Sequence, residues 1–490
     1  MHLLLRFFFR RVEVTGLEHV PEHGGGILVS WHPNGMIDPA LIFETFPREV
    51  VFGARHGLFK YPILGTVLRS VHTVPIFRAQ DMKKGASEDA RRAANQKSID
   101  ALSDSIVAGR FSALFPEGVS HDAPHLMELK TGVARFYYRA RQLKSEADPT
   151  PVIIPIGLHY DKKRLFRSNV LVAYHPPIQL PAELAITPPE EEEREVRRDR
   201  YRDFTDEIER VLRDVVHATE SWGVHHLMHR ARKLVRAERA QRADASLEAP
   251  TMEERTRGFA RIWQGYYARL QTQPAEVMAL RARLAEYDAD MRALEIEDHE
   301  LDRPPRLVNL WFGILLALQS LGVYFLLPPL LVVGVLVNAP PAFLLWGLTR
   351  WAAKRKKDEA SIKVLAGSVL FPLTWSAAAV FAGWGHSVLH DLYPAIPDTF
   401  VTAGVLTFLL SFAGGAVSLR YLRIARETAR AIRVRLTRER QRMTIARLRV
   451  DREEIFDQLI AFGEGLDLPG TVLEDGTIGP TAPAPLARTR

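Results

Sequence analysis

Across residues 12–185, short apolar and β-branched runs alternate with stretches whose apolar positions recur at helical spacing. Six runs read as strands: 25–31, 49–54, 72–77, 111–117, 150–158 and 168–175. Between the third and fourth, residues 86–108 carry a helical pattern. The uninterrupted "VIIPI" at 152–156 suits a strand buried on both faces. This alternation predicts an α/β domain over 1–186, with a mixed, largely parallel sheet flanked by helices.

The pattern then changes twice. "TPPEEEEREVRRDRYR" (187–202) shifts to proline and charge and marks the start of a charged helical region, 187–303. Phe204, Ile208, Val211, Leu212 and Val215 share one helical face. Val277, Leu280, Leu284, Tyr287, Met291 and Leu294 keep alternating steps of three and four, a short coiled-coil seam. That seam fits an intramolecular hairpin or a homodimer, and the spacing does not choose between them. After "DRPPR" (302–306), residues 309–349 are almost free of charge and too many for one bilayer crossing. Pro328-Pro329 and Pro340-Pro341 offer breaks, giving spans near 309–327 and 330–349; further apolar stretches lie near 364–384 and 399–419. Residues 304–420 therefore read as a transmembrane region of about four spans. The other reading, a buried soluble helical domain, fits the length and lack of charge less well. The basic segments 350–363 and 420 onward mark the cytoplasmic side, which puts 385–399 outside and the first 300 residues inside. This is the pattern of an integral membrane protein with its N-terminal domain on the cytoplasmic side, at the inner membrane in a bacterium. Residues 421–490 read as a basic cytoplasmic helix and a disordered tail, "GPTAPAPLARTR".

Composition narrows the chemistry. The 490 residues allow two or three domains, and 65 basic against 58 acidic side chains give a charge of +7. That excess suits a membrane surface, an anionic substrate or nucleic acid equally. The basic C-terminal helix directly follows an apolar span, so anionic lipid is its simpler partner and no nucleic acid is expected. The absence of cysteine excludes disulfides, a thiol nucleophile and thiolate-bound metal. His121, Asp122 and His125, and the histidines of 225–230, lack regular ligand spacing, so no metal is expected. No P-loop or GxGxxG appears. The start, "MHLLLRFFFRR", is too short to span a bilayer; it suits an interfacial anchor or a first element packed on the domain.

"SWHPNGMIDPAL" places His32 at the end of a strand and Asp38 six positions on. Strand C-terminal ends are where α/β folds place ligand sites. On an ideal helix six residues turn about 600°, so the two share no helical face. They meet only if Pro33-Asn34-Gly35 turns the chain, and that is strong turn chemistry. A carboxylate on one ring nitrogen would leave the other free as a base. Arg78 ends the strand at 72–77 and suits bidentate phosphate binding or a surface salt bridge equally. Glu117-Gly118 follows a strand and suits a turn that meets a polar ligand, and Pro155 interrupts an apolar strand. Arg55, Lys60 and Lys130 suit either added positive potential for an anionic ligand or solvated charges near lipid head groups.

The blocks "HPNGMID", "VPIFR", "FPEG" and "VIIPIGL", in this order over about residues 10–185, resemble the glycerolipid (phospholipid/glycerol) acyltransferase superfamily. The five residues between His32 and Asp38, one more than the common His-x4-Asp block, look like the fungal-type glycerol-3-phosphate/dihydroxyacetone-phosphate acyltransferases and their bacterial relatives. The resemblance implies that His32 is the general base and Asp38 its orienting carboxylate. It further implies that Arg78 grips the acceptor's phosphate, that Asn34, Glu117 and Gly118 shape the acceptor site, and that Pro155 borders acyl-chain entry. It implies direct transfer from an acyl thioester (acyl-CoA or acyl carrier protein) to a glycerol phosphate acceptor, with no cofactor. Lysophosphatidic acid as acceptor, and a catalytically inactive membrane scaffold or transport component, are the alternative functions.

Overall fold

The computed structural model describes residues 2–60, 62–70, 73–76, 88–189, 191–302, 310–352 and 359–480. The chain forms two compact units, Met1–His225 with Thr251–Thr256 and Lys356–Ser361, and His226–Pro250 with Arg257–Arg355 and Ile362–Arg490.

The first unit opens with helix α1 (His2–Phe8) and strand β1 (Arg11–Thr15), followed by β2 (Gly26–Ser30), α2 (Ile37–Thr45), β3 (Val50–Arg55), α3 (Pro62–Ser70) and β4 (Val74–Ile76). Then come α4 (Glu88–Val107), β5 (Phe111–Leu114), α5 (Gly132–Leu143), β6 (Val152–Tyr160), β7 (Asn169–Tyr174) and α6 (Arg194–Val216). The sheet order is β1-β7-β6-β2-β5-β3-β4; every pair is parallel except β6 with β7. Six of these strands match the sequence expectation within a few residues. β1 is the addition, and it pairs with β7 at the sheet edge. The apolar N-terminus packs on the domain: Leu5, Phe8 and Phe9 are buried, whereas Phe7 stays half exposed against Phe166.

Strand side chains alternate between faces. Ile27, Val29 and Ile153 look toward α4, α5 and α6, where Leu102, Ile106, Phe136, Tyr137, Phe204 and Leu212 complete the core. The opposite face receives α1 and α2. There Phe46 meets both Phe111 and Tyr174, and Phe9 approaches Tyr160.

The second unit includes most of α7 (Trp222–Arg242), α8 (Met252–Thr272) and α9 (Pro274–Leu294). It continues with α10 (Leu310–Leu321), α11 (Leu327–Ala352), α12 (Glu359–Leu392), α13 (Phe400–Arg440) and α14 (Arg442–Gly463). The predicted seam is filled within the chain. Leu280, Leu284, Tyr287 and Met291 pack against Leu234 of α7 and against Ile445, Leu448 and Ile455 of α14. Beside it Arg452, almost wholly buried, is held by Asp302 at 2.6 and 2.8 Å and by Glu238 at 2.8 Å. The polar compensation a buried guanidinium requires is thus met.

The expected breaks in the apolar run are absent. α10 leads through a π turn at Gly322–Leu326 straight into α11, which carries Pro340 and Pro341 in its interior. Residues 310–352 are thus helical throughout, with a π segment just before Pro328-Pro329. Such prolines are tolerated where a neighbouring helix re-satisfies polar groups. The Asn338 amide donates to Ser411 O (2.9 Å) on α13 and accepts from Trp375 Nε1 (3.0 Å) on α12. Gly334 and Gly414 let α11 and α13 approach so closely that a Cβ on either would collide with the other's backbone. Among the described residues two helices, α12 and α13, are long and apolar enough to cross a bilayer. Their large apolar side chains, among them Phe381, Trp384, Leu406 and Leu410, are exposed.

On the helical side of the first unit His159 stacks on His217, with ring centroids 5.5 Å apart. Burial and neighbouring histidines hold the His159 imidazole down at about 3. Burial, with His19 second, holds His175 at about 4. Both are therefore neutral when folded, while the unfolded chain takes up protons near the ordinary value. Their stabilising contribution is complete above about pH 6.5 and is lost as pH falls toward 4. At pH 5 each costs about 2 kcal/mol by this linkage. Thermal unfolding of the detergent-solubilised chain at pH 7, 6 and 5 should show a falling midpoint; a flat profile would contradict it.

Candidate active site

β2 ends at Ser30, whose hydroxyl donates to Ile156 O at 2.9 Å, and Trp31 Nε1 reaches Leu158 O at 3.1 Å. These bonds tie the strand end to β6. The chain then turns through Pro33–Met36, with Gly35 at φ +51°, a conformation that favours glycine, before α2 begins at Ile37. The turn absorbs the long spacing: His32 Nδ1 lies 2.8 Å from Asp38 Oδ2. Asp38 has no exposed surface, and His32 keeps 19% of its side chain open.

The Asp38 carboxylate is satisfied from three directions. Oδ2 also accepts the Asn34 amide at 2.7 Å, and Oδ1 accepts the Tyr160 hydroxyl in a short hydrogen bond. An ionised carboxylate accepts only, so Nδ1 of His32 carries the ring proton. Nε2 is then the basic nitrogen, and among the described residues it has no hydrogen-bond partner. Phe115 stacks on the imidazole with centroids 4.2 Å apart and planes at 17°, which limits its rotation.

Glu117 does not face an open cleft. Its side chain is fully buried and accepts His32 N (2.9 Å), His121 Nε2 (2.6 Å) and Met127 N (2.9 Å). His121 Nδ1 accepts the Ala123 amide, so its Nε2 is the donor to Glu117. His121 N in turn donates to His32 O at 3.0 Å. The loop after β5 thus clamps the His32 backbone on both sides. Gly118, at φ +65°, makes the turn that brings Glu117 inward.

The structure brings His32, Asn34, Asp38 and Glu117 together, with Gly118 beside them. Asn34 is fully buried and donates from Nδ2 to Lys163 O at 3.1 Å, which ties it to the loop after β6. Pro155 lies within β6, opposite Val29. By alternation it shares the face of Ile153 and the α4–α6 core, away from Ile156 and Tyr160. Arg78 falls outside the described residues, as does the Arg55 side chain. Lys130 pairs with Glu128 at the surface, and Lys60 is exposed. No metal-binding group of His, Asp or Glu occurs among the described residues.

Sequence reading missed Tyr160, Phe115 and the part played by His121. The available signal for Tyr160 was the step of two from Ile156 and Leu158 along one strand face. Nothing in the spacing tied it to a residue 122 positions away.

Glu117→Gln should leave a buried amide N–H pointing at donors. The expected loss is about 1–3 kcal/mol of stability, seen as a lower denaturant midpoint. An unchanged midpoint would show that the triple acceptor is not needed.

Residues 11–159 match the family model described as Acyltransferase. Glycerol-3-phosphate O-acyltransferase 1 of Saccharomyces cerevisiae is 24% identical over 288 residues, covering 59% of this chain and 35% of that protein. Glycerol-3-phosphate O-acyltransferase 2 of the same yeast is 35% identical over 91 residues, 18% of this chain and 12% of its own length. An uncharacterised acyltransferase of Schizosaccharomyces pombe is 24% identical over 263 residues, 37% of this chain and 38% of its own. The chain thus spans well under half the length of these relatives. The solved lysophosphatidic acid acyltransferase PlsC of Thermotoga maritima is 14% identical and covers 43% of this chain and 75% of its own, with a TM-score of 0.28. The matched span holds His32, Asp38 and the loop that clamps them, and residues 11–159 form an Acyltransferase-family domain consistent with the glycerolipid acyltransferase superfamily.

Proposed function

We propose that the chain is a membrane-bound O-acyltransferase of phospholipid biosynthesis. It moves a fatty acyl group from an acyl thioester to glycerol 3-phosphate or dihydroxyacetone phosphate. The observation that carries the reading is the 2.8 Å contact between His32 Nδ1 and a fully buried Asp38. That pairing leaves Nε2 free to take the proton from an acceptor hydroxyl. The alkoxide-like oxygen attacks the thioester carbonyl; the tetrahedral intermediate collapses, the C–S bond breaks and the thiolate leaves. The imidazolium formed meanwhile faces Asp38, which offsets its charge. No acyl-enzyme is required, and the chain has no cysteine to form one.

The activity for which the yeast relatives are named supports glycerol 3-phosphate as the first acceptor to test. The exposed apolar flanks of α12 and α13 support membrane residence, where acyl donors and lipid products partition. The excess of arginine and lysine at 350–363 and after 420 supports a cytoplasmic catalytic domain. In this reading Arg78 grips the acceptor phosphate and Asn34 takes part in holding the substrate. Coenzyme A or acyl carrier protein delivers the acyl group, and no further cofactor takes part.

The test offers glycerol 3-phosphate, dihydroxyacetone phosphate and lysophosphatidic acid in parallel to membranes carrying wild type or His32→Ala, with labelled acyl-CoA. His32→Ala should lower turnover at least about a hundredfold, the lower range for losing a general base. Equal rates in the two would defeat the assignment. Transfer to none of the three by wild type would favour the inactive-scaffold reading. Arg78→Ala should raise the acceptor KM with kcat little changed; the reverse split would remove its phosphate role.

A further inference from the structure

Tyr160 lies five residues beyond Pro155, at the last position of β6, and its hydroxyl donates to the Asp38 oxygen that His32 does not use. The hydroxyl end is enclosed although the residue keeps some exposed surface. Phe9 flanks the ring at 6.1 Å. Asn34, whose backbone amide bonds the same carboxylate, is anchored through its side-chain Nδ2 on Lys163 O. Among the described residues, the negatively charged acceptor this phenol bonds is Asp38.

We infer that Tyr160 is a positioning residue that fixes the orientation and proton affinity of the Asp38 carboxylate, and through it the basicity of His32. The inference rests on the proposed acyl-transfer reading only for its kinetic arm. Two oxygens share the carboxylate's charge. With Oδ1 bonded to Tyr160 and Oδ2 to His32 and Asn34 N, the group cannot rotate without breaking one of three bonds. The donor from Tyr160 also draws charge away from Oδ2, which weakens the hold on the Nδ1 proton. Burial first, and the adjacent Asp38 charge second, push the phenol well above its ordinary value, so it stays a donor at any working pH.

Among the described residues, two loops bring further titratable groups near the dyad, and Glu359 pairs with Arg164 of the second. After β5, Glu117 and His121 bond each other and meet His32 through its backbone. After β6, Lys163 and Arg164 point away to Asp122, at 2.5 and 3.5 Å. Among the described residues Tyr160 and His32 are thus the titratable side chains that touch the Asp38 carboxylate directly. Small changes at the phenol should pass to the imidazole without an intervening charge.

The experiment compares wild type, Tyr160→Phe and full chain carrying 3,5-difluorotyrosine at 160, a stronger donor of nearly the same shape. In Tyr160→Phe, kcat should fall about tenfold or more with acceptor KM within twofold, and the acid limb of kcat/KM should move to higher pH. The fluorinated chain should move that limb the other way. Peptide-resolved hydrogen–deuterium exchange at the His32 ring carbon gives the same titration without substrate. Its midpoint should rise in Tyr160→Phe and fall in the fluorinated chain. If the midpoint stays put in both variants, the inference is overturned, whatever happens to turnover. If wild type transfers no acyl group, the proposed function fails while the exchange midpoints still decide the role of Tyr160.

Discussion

A carboxylate with no exposed surface has to be compensated inside the protein, and the first unit is arranged around that requirement at Asp38. Its three donors come from three places: an imidazole at the end of β2, a backbone amide in the following turn, and a phenol at the end of β6. They converge because β2 and β6 are hydrogen-bonded neighbours in the sheet, although more than 120 residues separate them. The parallel register carries both strand ends to the same edge. Ser30 and Trp31 then lock that edge by bonding to β6 carbonyls.

A second buried carboxylate sits a few residues away in space and has a different task. Glu117 accepts two backbone amides and one histidine, so its charge is spent inside the protein. It fixes where the His32 main chain runs, whereas Asp38 fixes how the His32 ring points. Phe115, two positions before Glu117, covers the ring itself. One short loop after β5 therefore holds both the backbone and the imidazole plane. A proline–glutamate–glycine turn suits this: Gly118 adopts a left-handed backbone that directs the preceding carboxylate inward.

The second unit solves other problems by other means. Its charged helices bury an arginine among carboxylates and close a leucine-rich seam within one chain. Its apolar helices approach through paired glycines and a half-buried amide, Asn338, which bridges three helices. In an apolar surrounding, close backbone contact and satisfied polar groups are what hold helices together, because burial of further apolar surface adds little.

Sequence by itself determined much of this. Apolar runs and turn residues located six of the seven strands of the main sheet and the charged helices, because burial periodicity is a local property of the chain. The four motif blocks, and the turn chemistry of Pro33-Asn34-Gly35, were enough to pair His32 with Asp38. Tertiary structure alone decided the rest. It turned Glu117 into the buried core, put Pro155 on the face opposite the dyad, enlisted Tyr160 and His121, and ran the proline-containing helices through where breaks were expected. Each of these depends on which strand or helix lies alongside. Such adjacency joins residues many tens of positions apart and leaves no periodic mark on the sequence.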